Sequence, residues 1–251
     1  MGIRDGGAGA GRRLQALTVL TLFLTFDLVL FGAFTRLTDS GLGCPDWPGC
    51  YGNASPLGAH AEITAAQTAM PTGPVTHRKA WVEMVHRYLA TSVGFLILVI
   101  TVASWVEYSR SRAQRGAGAA VSAPVLSPWW PTVTLVWVCI QGAFGALTVT
   151  MKLFPAIVTL HLVGGLVLLF LLCAQAVRRT QIVQAVAPVP VPTAVRRWLW
   201  GALVLLSIQV VLGGWVSTNY AVLACTEFPG CQGSLWPPMD FRQGFQVWRE
   251  L

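Results

Sequence analysis

The chain is 251 residues long, with 54% hydrophobic residues, 11% charged residues and a net charge of +7. Soluble domains carry about 25% charged residues, so this composition excludes a soluble globular protein and indicates an integral membrane protein. The basic excess does not predict nucleic-acid binding, because no basic face alternates with exposed aromatic residues.

Five apolar stretches are each long enough to cross a bilayer as a helix, which takes about 20 residues. In chain order they are residues 14–35, 81–108, 129–151, 155–177 and 198–220. Only a few residues around Lys152 separate the third stretch from the fourth, so these two helices are expected to be antiparallel neighbours. The sequence therefore predicts an all-α integral membrane protein.

The placement of basic residues predicts the orientation of these spans. Ten of the seventeen Lys and Arg residues lie on one side, namely Arg4, Arg12, Arg13, Arg110, Arg112, Arg115, Arg178, Arg179, Arg196 and Arg197. The positive-inside rule then puts the N-terminus in the cytoplasm and the loops after the first and fifth spans outside. The first span is too long for a signal core, and no Arg- and Ser-rich amphipathic leader precedes it. The first feature predicts that this span stays in place as an anchor, and the second favours a multi-pass protein of a bacterial plasma membrane.

This topology divides the chain into five segments. They are the cytoplasmic N-terminus with the first span (1–36), an outer loop with a cysteine pair (37–80), the next three spans (81–177), a cytoplasmic linker (178–197), and the fifth span with a second outer loop (198–251). Residues 59–70 contain no Gly or Pro and predict a short helix at the membrane surface. The linkers 109–128 and 178–192 are rich in Ala, Gly, Pro and Arg, so we interpret them as solvated connectors.

The segment from residue 32 to residue 52 recurs, diverged, at residues 213–233. At a constant offset of 181, the identical pairs are Gly32/Gly213, Leu42/Leu223, Cys44/Cys225, Pro48/Pro229, Gly49/Gly230, Cys50/Cys231 and Gly52/Gly233. The chain is therefore a duplication, and the repeats are parallel because four helices separate them. We interpret it as a four-helix transmembrane bundle plus the first helix of a second, tandem-repeat bundle, with the rest of the second repeat expected beyond Leu251.

Two histidines, His86 and His161, lie within the spans at about the same depth, roughly 8–9 Å from the outer ends of their helices. Imidazoles at matched depth on different helices can hold a metalloporphyrin iron between them. Small residues follow both histidines at helical spacing, Gly164 and Gly165 after His161 and Ala90 and Gly94 after His86, and they leave room for a flat ring. The alternative is that these small residues only allow close helix packing.

Three charged residues accompany the histidines. Glu83 lies one turn before His86 on the same face, where a carboxylate is costly in hydrocarbon and is a candidate to move protons. The alternative is that it reaches interfacial water. Arg87 and Arg36 are candidates to pair with carboxylates of a ligand, or they are ordinary interfacial anchors.

Each repeat carries two cysteines six residues apart, Cys44 with Cys50 and Cys225 with Cys231. Both loops are predicted to face the oxidising side, where disulfides persist, so the shared spacing predicts pairing within each loop. A structural staple is the more frequent use of such a pair, and a redox-active role is the alternative. Cys139 and Cys173, inside the spans, are expected to be small apolar core residues.

Several long motifs in the chain resemble those of the haem A synthase family. They are residues 32–50 (GAFTRLTDSGLGCPDWPGC), 83–87 (EMVHR), 159–165 (TLHLVGG), 212–220 (LGGWVSTNY) and 236–241 (WPPMDF). The resemblance implies an eight-helix protein of two four-helix halves. It also implies a haem-dependent oxidoreductase that oxidises a methyl group of haem O to the formyl group of haem A for the terminal oxidase.

The same resemblance implies roles for individual residues. His86 and His161 are the axial ligands of the haem in the N-terminal half, Glu83 is required near the reacting methyl group, and Cys44 with Cys50 is the outer-loop pair. A haem b is expected in the second half, whose two histidines belong to later helices. Expected partners are membrane lipid, haem O, a haem O synthase and an electron acceptor, and no nucleic acid.

Two other functions are compatible with the sequence. A membrane cytochrome would use the two histidines for electron transfer alone, but it would not need Glu83 beside them. A quinone-linked, disulfide-generating membrane protein would use the outward cysteines, but five residues separate each pair instead of the two typical of reactive motifs.

Overall fold

The computed structural model describes residues 4–117, 125–227 and 229–247. Its helices are α1 (Arg4–Leu37), α2 (His60–Ala69), α3 (His77–Gly116), α4 (Trp129–Thr150), α5 (Pro155–Gln184), α6 (Thr193–Thr218) and α7 (Phe241–Gly244), with a 3-10 turn at Ala221–Ala224. In this part of the chain there is no extended strand. The predicted all-α architecture is confirmed.

Five helices, α1, α3, α4, α5 and α6, are long and apolar enough to cross a membrane. The short helix α2 occupies the loop between α1 and α3, as the absence of Gly and Pro in that segment predicted. We call the end of the molecule that carries this loop the disulfide end, because Cys44 and Cys50 lie there.

Four of the long helices form a closed bundle. α1 packs against α3 and α5, and α4 packs against the same two helices, so α3 and α5 face each other across the diagonal. Helix α6 packs along the outside of α5, where Gly214 lies against Leu162 and Thr159. The four-helix unit plus one further helix is therefore the observed arrangement of the spans.

An apolar layer fills the middle of the bundle. Its buried members are Val93 and Ile97 of α3 and Leu168 and Leu172 of α5, and side chains of α1 and α4 such as Leu28 and Trp137 pack against them. Towards the opposite end, the interior becomes polar. There, Gln175 donates to Thr134 at 2.5 Å and Arg179 donates to Ser104 at 2.5 Å.

Three details differ from the predictions. Helix α3 continues to Gly116 and α5 to Gln184, so residues 109–116 and 178–184, interpreted as connectors, are helical. Arg, Gln and Ala favour helix and no Pro interrupts these segments, whereas hydropathy marks only the membrane-spanning part of a helix. The prediction that Cys139 and Cys173 are core residues is wrong, because both are exposed on the outside of the bundle.

The two repeats share backbone conformation as well as sequence. Isolated bridges join Cys50 to Asn53 and Cys231 to Ser234, and Gly52 and Gly233 have φ values of 73° and 75°. The carboxylate of Asp46 accepts from the backbone N–H of Gly52, as that of Glu227 does from Gly233. All of these pairs are separated by 181 residues, so the sequence repeat is also a structural repeat.

The repeats also touch at equivalent positions. Arg36 donates to the carbonyl oxygen of Ser217 at 2.5 Å, and Tyr220 donates to Asp39 at 2.9 Å. In each pair the second residue lies 181 positions after the first, so the ends of α1 and α6 are joined by side chains at equivalent positions of the two repeats.

Candidate functional site

His86 and His161 lie near the disulfide end, on the two helices that face each other across the bundle diagonal. Each precedes the apolar layer by the same spacing: Val93 and Ile97 follow His86 by 7 and 11 residues, and Leu168 and Leu172 follow His161 by 7 and 11. Because seven residues are close to two helical turns, both histidines point to the bundle interior, about 10 Å from a common layer.

This spacing is a better measure of depth than the distance from the helix start. Helix α3 begins at His77, nine residues before His86, whereas α5 begins at Pro155, six residues before His161. Counted from the helix ends, the two histidines would differ by about 4.5 Å in height. The first turn of α3 extends beyond the bundle to meet the disulfide loop, which explains the difference.

Glycines of the two other helices lie beside the imidazoles. A Cβ added to Gly32 of α1 would lie 3.1 Å from Cε1 of His86, and one added to Gly145 of α4 would lie 3.5 Å from Cε1 of His161. The ring of Phe31 is nearly parallel to that of His86, with centroids 6.3 Å apart. These residues were not predicted as part of the site, although Gly32 belongs to the repeated segment and so carried a signal.

The Nδ1 atoms of His86 and His161 are buried and have no hydrogen-bond partner within the described part of the chain. Burying a polar nitrogen without a partner costs free energy. A histidine that binds haem iron does so through one ring nitrogen and leaves the other to a hydrogen-bond partner, so an imidazole whose Nδ1 is not committed to the protein is able to serve as an axial ligand. Two such groups on diagonal helices, at the same spacing from one apolar layer, fit a haem between α3 and α5.

Gly164 and Gly165 have packing contacts. Any side chain at Gly164 would overlap the amide of the buried Gln141 of α4, and the Gly164 carbonyl accepts a hydrogen bond from Trp137 at 2.9 Å. A Cβ at Gly165 would lie 4.0 Å from Val29 of α1. The structure thus places Gly164 at the α4–α5 contact and Gly165 towards α1, and their contact with a cofactor stays a prediction.

Glu83 is buried, with 4% of its surface exposed, and both its oxygens are hydrogen-bonded. Oε2 accepts from the backbone N–H of Cys44 at 2.8 Å, and Oε1 accepts from Nη2 of Arg87 at 2.5 Å. The carboxylate of Glu83 is therefore bonded to protein groups, in contrast to the alternative that it reaches interfacial water. Instead, the carboxylate joins α3 to the disulfide loop.

Arg87 and Arg36 are likewise bonded to protein groups. Nη1 of Arg87 donates to the carbonyl oxygens of Asp46 and Gly49 at 2.8 and 2.5 Å. Arg36 donates to Ser217 and lies over the Tyr220 ring, 4.4 Å from its centroid. A ligand carboxylate would have to displace or share these contacts, so the pairing of either arginine with a ligand stays a prediction.

Both predicted disulfides are present, but their surroundings differ. Cys44–Cys50 has no exposed surface and packs with Ala59, Ile63, Ala80 and Met84. By contrast, Cys225 of the Cys225–Cys231 disulfide is exposed. The first loop is therefore folded into the protein above the histidines, which the equal spacing of the two pairs did not predict.

Known proteins are similar to this chain over most of its length. A family model described as "Cytochrome oxidase assembly protein" (COX15-CtaA) matches residues 15–251. The heme A synthase of Shewanella oneidensis is 39% identical over 227 residues, which cover 88% of this chain and 62% of that protein. The heme A synthases of Symbiobacterium thermophilum and Bacillus pumilus are 27% and 25% identical over 91% and 93% of the chain, and the aligned regions cover 67% and 68% of those proteins. No solved structure matches the chain.

Proposed function

Because the chain belongs to the cytochrome oxidase assembly protein family, we propose that it is a haem-dependent oxidoreductase that takes part in oxidising a methyl group of haem O to the formyl group of haem A. The observation that carries this proposal is the pair of buried, unpartnered imidazole nitrogens on the diagonal helices α3 and α5. Relatives named heme A synthase support the choice of substrate.

In this proposal, haem O is the substrate and binds between α3 and α5. His86 and His161 hold its iron, and the iron-porphyrin supplies the redox chemistry. Gly32 and Gly145 leave space for the imidazole rings of His86 and His161. Gly164 and Gly165 keep α5 close to its neighbours, which fixes the height of His161. Arg36 is a candidate partner for a haem carboxylate at the disulfide end.

We propose that Glu83 serves the oxidation by exchanging protons. Its carboxylate lies one turn from His86, at the boundary between the bundle interior and the disulfide loop. Oxidising a methyl group to a formyl group adds one oxygen atom, and with water as the oxygen donor it releases four protons and four electrons, so a carboxylate near the porphyrin edge gives the protons a route towards the loop. An electron acceptor is required to take the electrons, and a haem O synthase supplies the substrate. A haem b in further helices of the second repeat belongs to the same proposal.

We place the protein in the bacterial plasma membrane, with its N-terminus in the cytoplasm and the disulfide end outside. The basic residues at the opposite end support this orientation, as do the two disulfides, which persist in an oxidising compartment. The alternative of a disulfide-generating protein is less well supported, because Cys44 and Cys50 are both inaccessible to a partner thiol.

Haem binding tests the proposal directly. His86→Leu and His161→Leu should each abolish the low-spin spectrum of haem bound to the purified chain, because one axial ligand would be lost. His60→Leu is the matched control, since His60 is exposed on α2, and it should leave the spectrum unchanged. Pigment extraction then identifies the haem. Retention of the low-spin spectrum in His86→Leu or His161→Leu would reject the ligand assignment. Extraction of haem B with no haem O or haem A would favour a membrane cytochrome.

A further inference from the structure

Arg87 makes more contacts with the disulfide loop than any role as a membrane anchor requires. Its Nη1 donates to the carbonyl oxygens of Asp46, Pro48 and Gly49 at 2.8, 3.3 and 2.5 Å. Its Nη2 donates to Glu83 at 2.5 Å, with only 11% of the Arg87 side chain and 5% of the Glu83 side chain exposed. One guanidinium therefore holds three loop carbonyls and one carboxylate.

Glu83 is attached to the same loop from the other side. Its second oxygen accepts from the backbone N–H of Cys44, the residue that begins the disulfide. The carboxylate is thus held between a guanidinium on its own helix and an N–H of the loop. The bond to Cys44 joins the carboxylate directly to the loop, and the bond to Arg87 joins it to the guanidinium that holds the loop carbonyls.

The loop itself has little freedom to move. A Cβ at Gly43 would overlap the backbone of Lys79 and Ala80, so the loop backbone lies directly on the first turns of α3. The Asp46 carboxylate accepts from the N–H groups of Tyr51 and Gly52 at 2.6 and 2.7 Å. The Cys44–Cys50 disulfide closes a covalent ring within the loop, next to the contact of Gly43 with α3 and around Asp46.

We propose that Arg87 is a positioning residue, which locks the loop of residues 43–50 onto α3 and thereby fixes the orientation of the Glu83 carboxylate beside His86. A guanidinium suits this task because its planar fork can donate to several acceptors at once, which a lysine ammonium does not match in geometry. The inference rests on the proposed function only for the role of Glu83. The locking of the loop stands on the contacts alone.

The state of the Cys44–Cys50 disulfide reports the locking without any activity assay. In the full chain in membranes, we expect Arg87→Gln to raise the rate at which a water-soluble phosphine reduces this disulfide by about tenfold or more, because charge-assisted hydrogen bonds to the loop are lost. Alkylation and mass measurement follow the reaction. Arg87→Lys should give an intermediate rate. The rate for Cys225–Cys231 in the same molecule is the internal control, and Arg78→Gln, on the exposed face of the same helix, is the matched variant.

Kinetics separates positioning from direct ligand binding. If Arg87 acts through Glu83, Arg87→Gln should lower kcat for haem O oxidation by about tenfold with little change in KM, and Arg87→Lys should restore part of the lost kcat. A raised KM with an unchanged disulfide reduction rate would overturn the inference and assign Arg87 to a haem carboxylate. An unchanged reduction rate in Arg87→Gln overturns the locking even if the wild-type chain shows no conversion of haem O.

Discussion

Glu83 shows how one buried carboxylate can serve two parts of a site. Its oxygens bind Arg87 and the Cys44 N–H, so its negative charge is compensated within the protein, as a buried charge requires. The same carboxylate is one turn from His86. The sequence predicted this proximity from helical spacing, but it did not predict the bond to Cys44, because residues 39 apart in the chain are joined only when the loop folds back onto α3.

At the residue scale, we predict that Glu83→Gln separates haem binding from oxidation. Glutamine keeps the size of the side chain and one acceptor for the Cys44 N–H, but it cannot take up or release a proton in this role. The haem spectrum should remain bis-histidine, and conversion of haem O to haem A should stop. Absorption spectroscopy and pigment extraction from cells that make haem O measure both effects. Full conversion by the variant would reject the catalytic role, and loss of bound haem would show that the carboxylate is structural.

At the scale of the helices, the site depends on how closely α5 approaches α4. The bonds from Trp137 to Gly164 and from Gln175 to Thr134 join the two helices on either side of Leu168. Glycine at position 164 allows this approach because the Gln141 amide occupies the space of a side chain. A small residue near His161 was predicted from the sequence, whereas its neighbour on α4 could not be, since pairwise packing depends on the rotation of both helices.

We predict that Gly164→Ala destabilises the bundle by about 1–3 kcal/mol, the usual cost of overpacking, because Gln141 has to move from a buried position. Gly142→Ala on α4 is the control, since no atom lies within 4 Å of its added Cβ. There, the better helix propensity of alanine should leave stability equal or slightly higher. Thermal unfolding in detergent measures the difference. Equal stability of the two variants would contradict the packing described for Gly164.

At the scale of the whole molecule, the duplication has produced two disulfide loops with the same internal geometry and different surroundings. Cys44–Cys50 is buried against α2 and α3, and Cys225 is exposed. We predict that a water-soluble phosphine reduces Cys225–Cys231 well before Cys44–Cys50 in the folded protein, because reduction requires access to a sulfur. Timed alkylation followed by peptide mass mapping measures both rates. Equal rates would contradict the buried position of the first pair.

Much of this architecture could be predicted from the sequence, because its causes are local or periodic. The lengths of the apolar stretches predicted the five spans, and the constant offset of 181 residues predicted two disulfide loops of the same conformation. The extensions of α3 and α5 were not predicted, because hydropathy marks only the part of a helix that lies in the membrane and gives no sign of its polar continuation. The outward position of Cys139 and Cys173 was not predicted, because apolar residues face the lipid as well as the protein core, and residue type alone does not distinguish the two sides of a helix.

The apolar layer beneath the histidines has a consequence for where protons can travel. Val93, Ile97, Leu168 and Leu172 offer no hydrogen-bonding side chain, and the buried hydroxyl of Thr25 on α1 donates to the Thr21 carbonyl oxygen of its own helix, so these side chains provide no hydrogen-bonded route from the histidines to the polar cluster around Gln175 and Arg179. Chemistry at the level of His86 and His161 would then exchange protons only with the compartment at the disulfide end. The bundle interior would then be accessible to protons from one side of the membrane only. An oxidation could proceed there without protons leaking across the membrane.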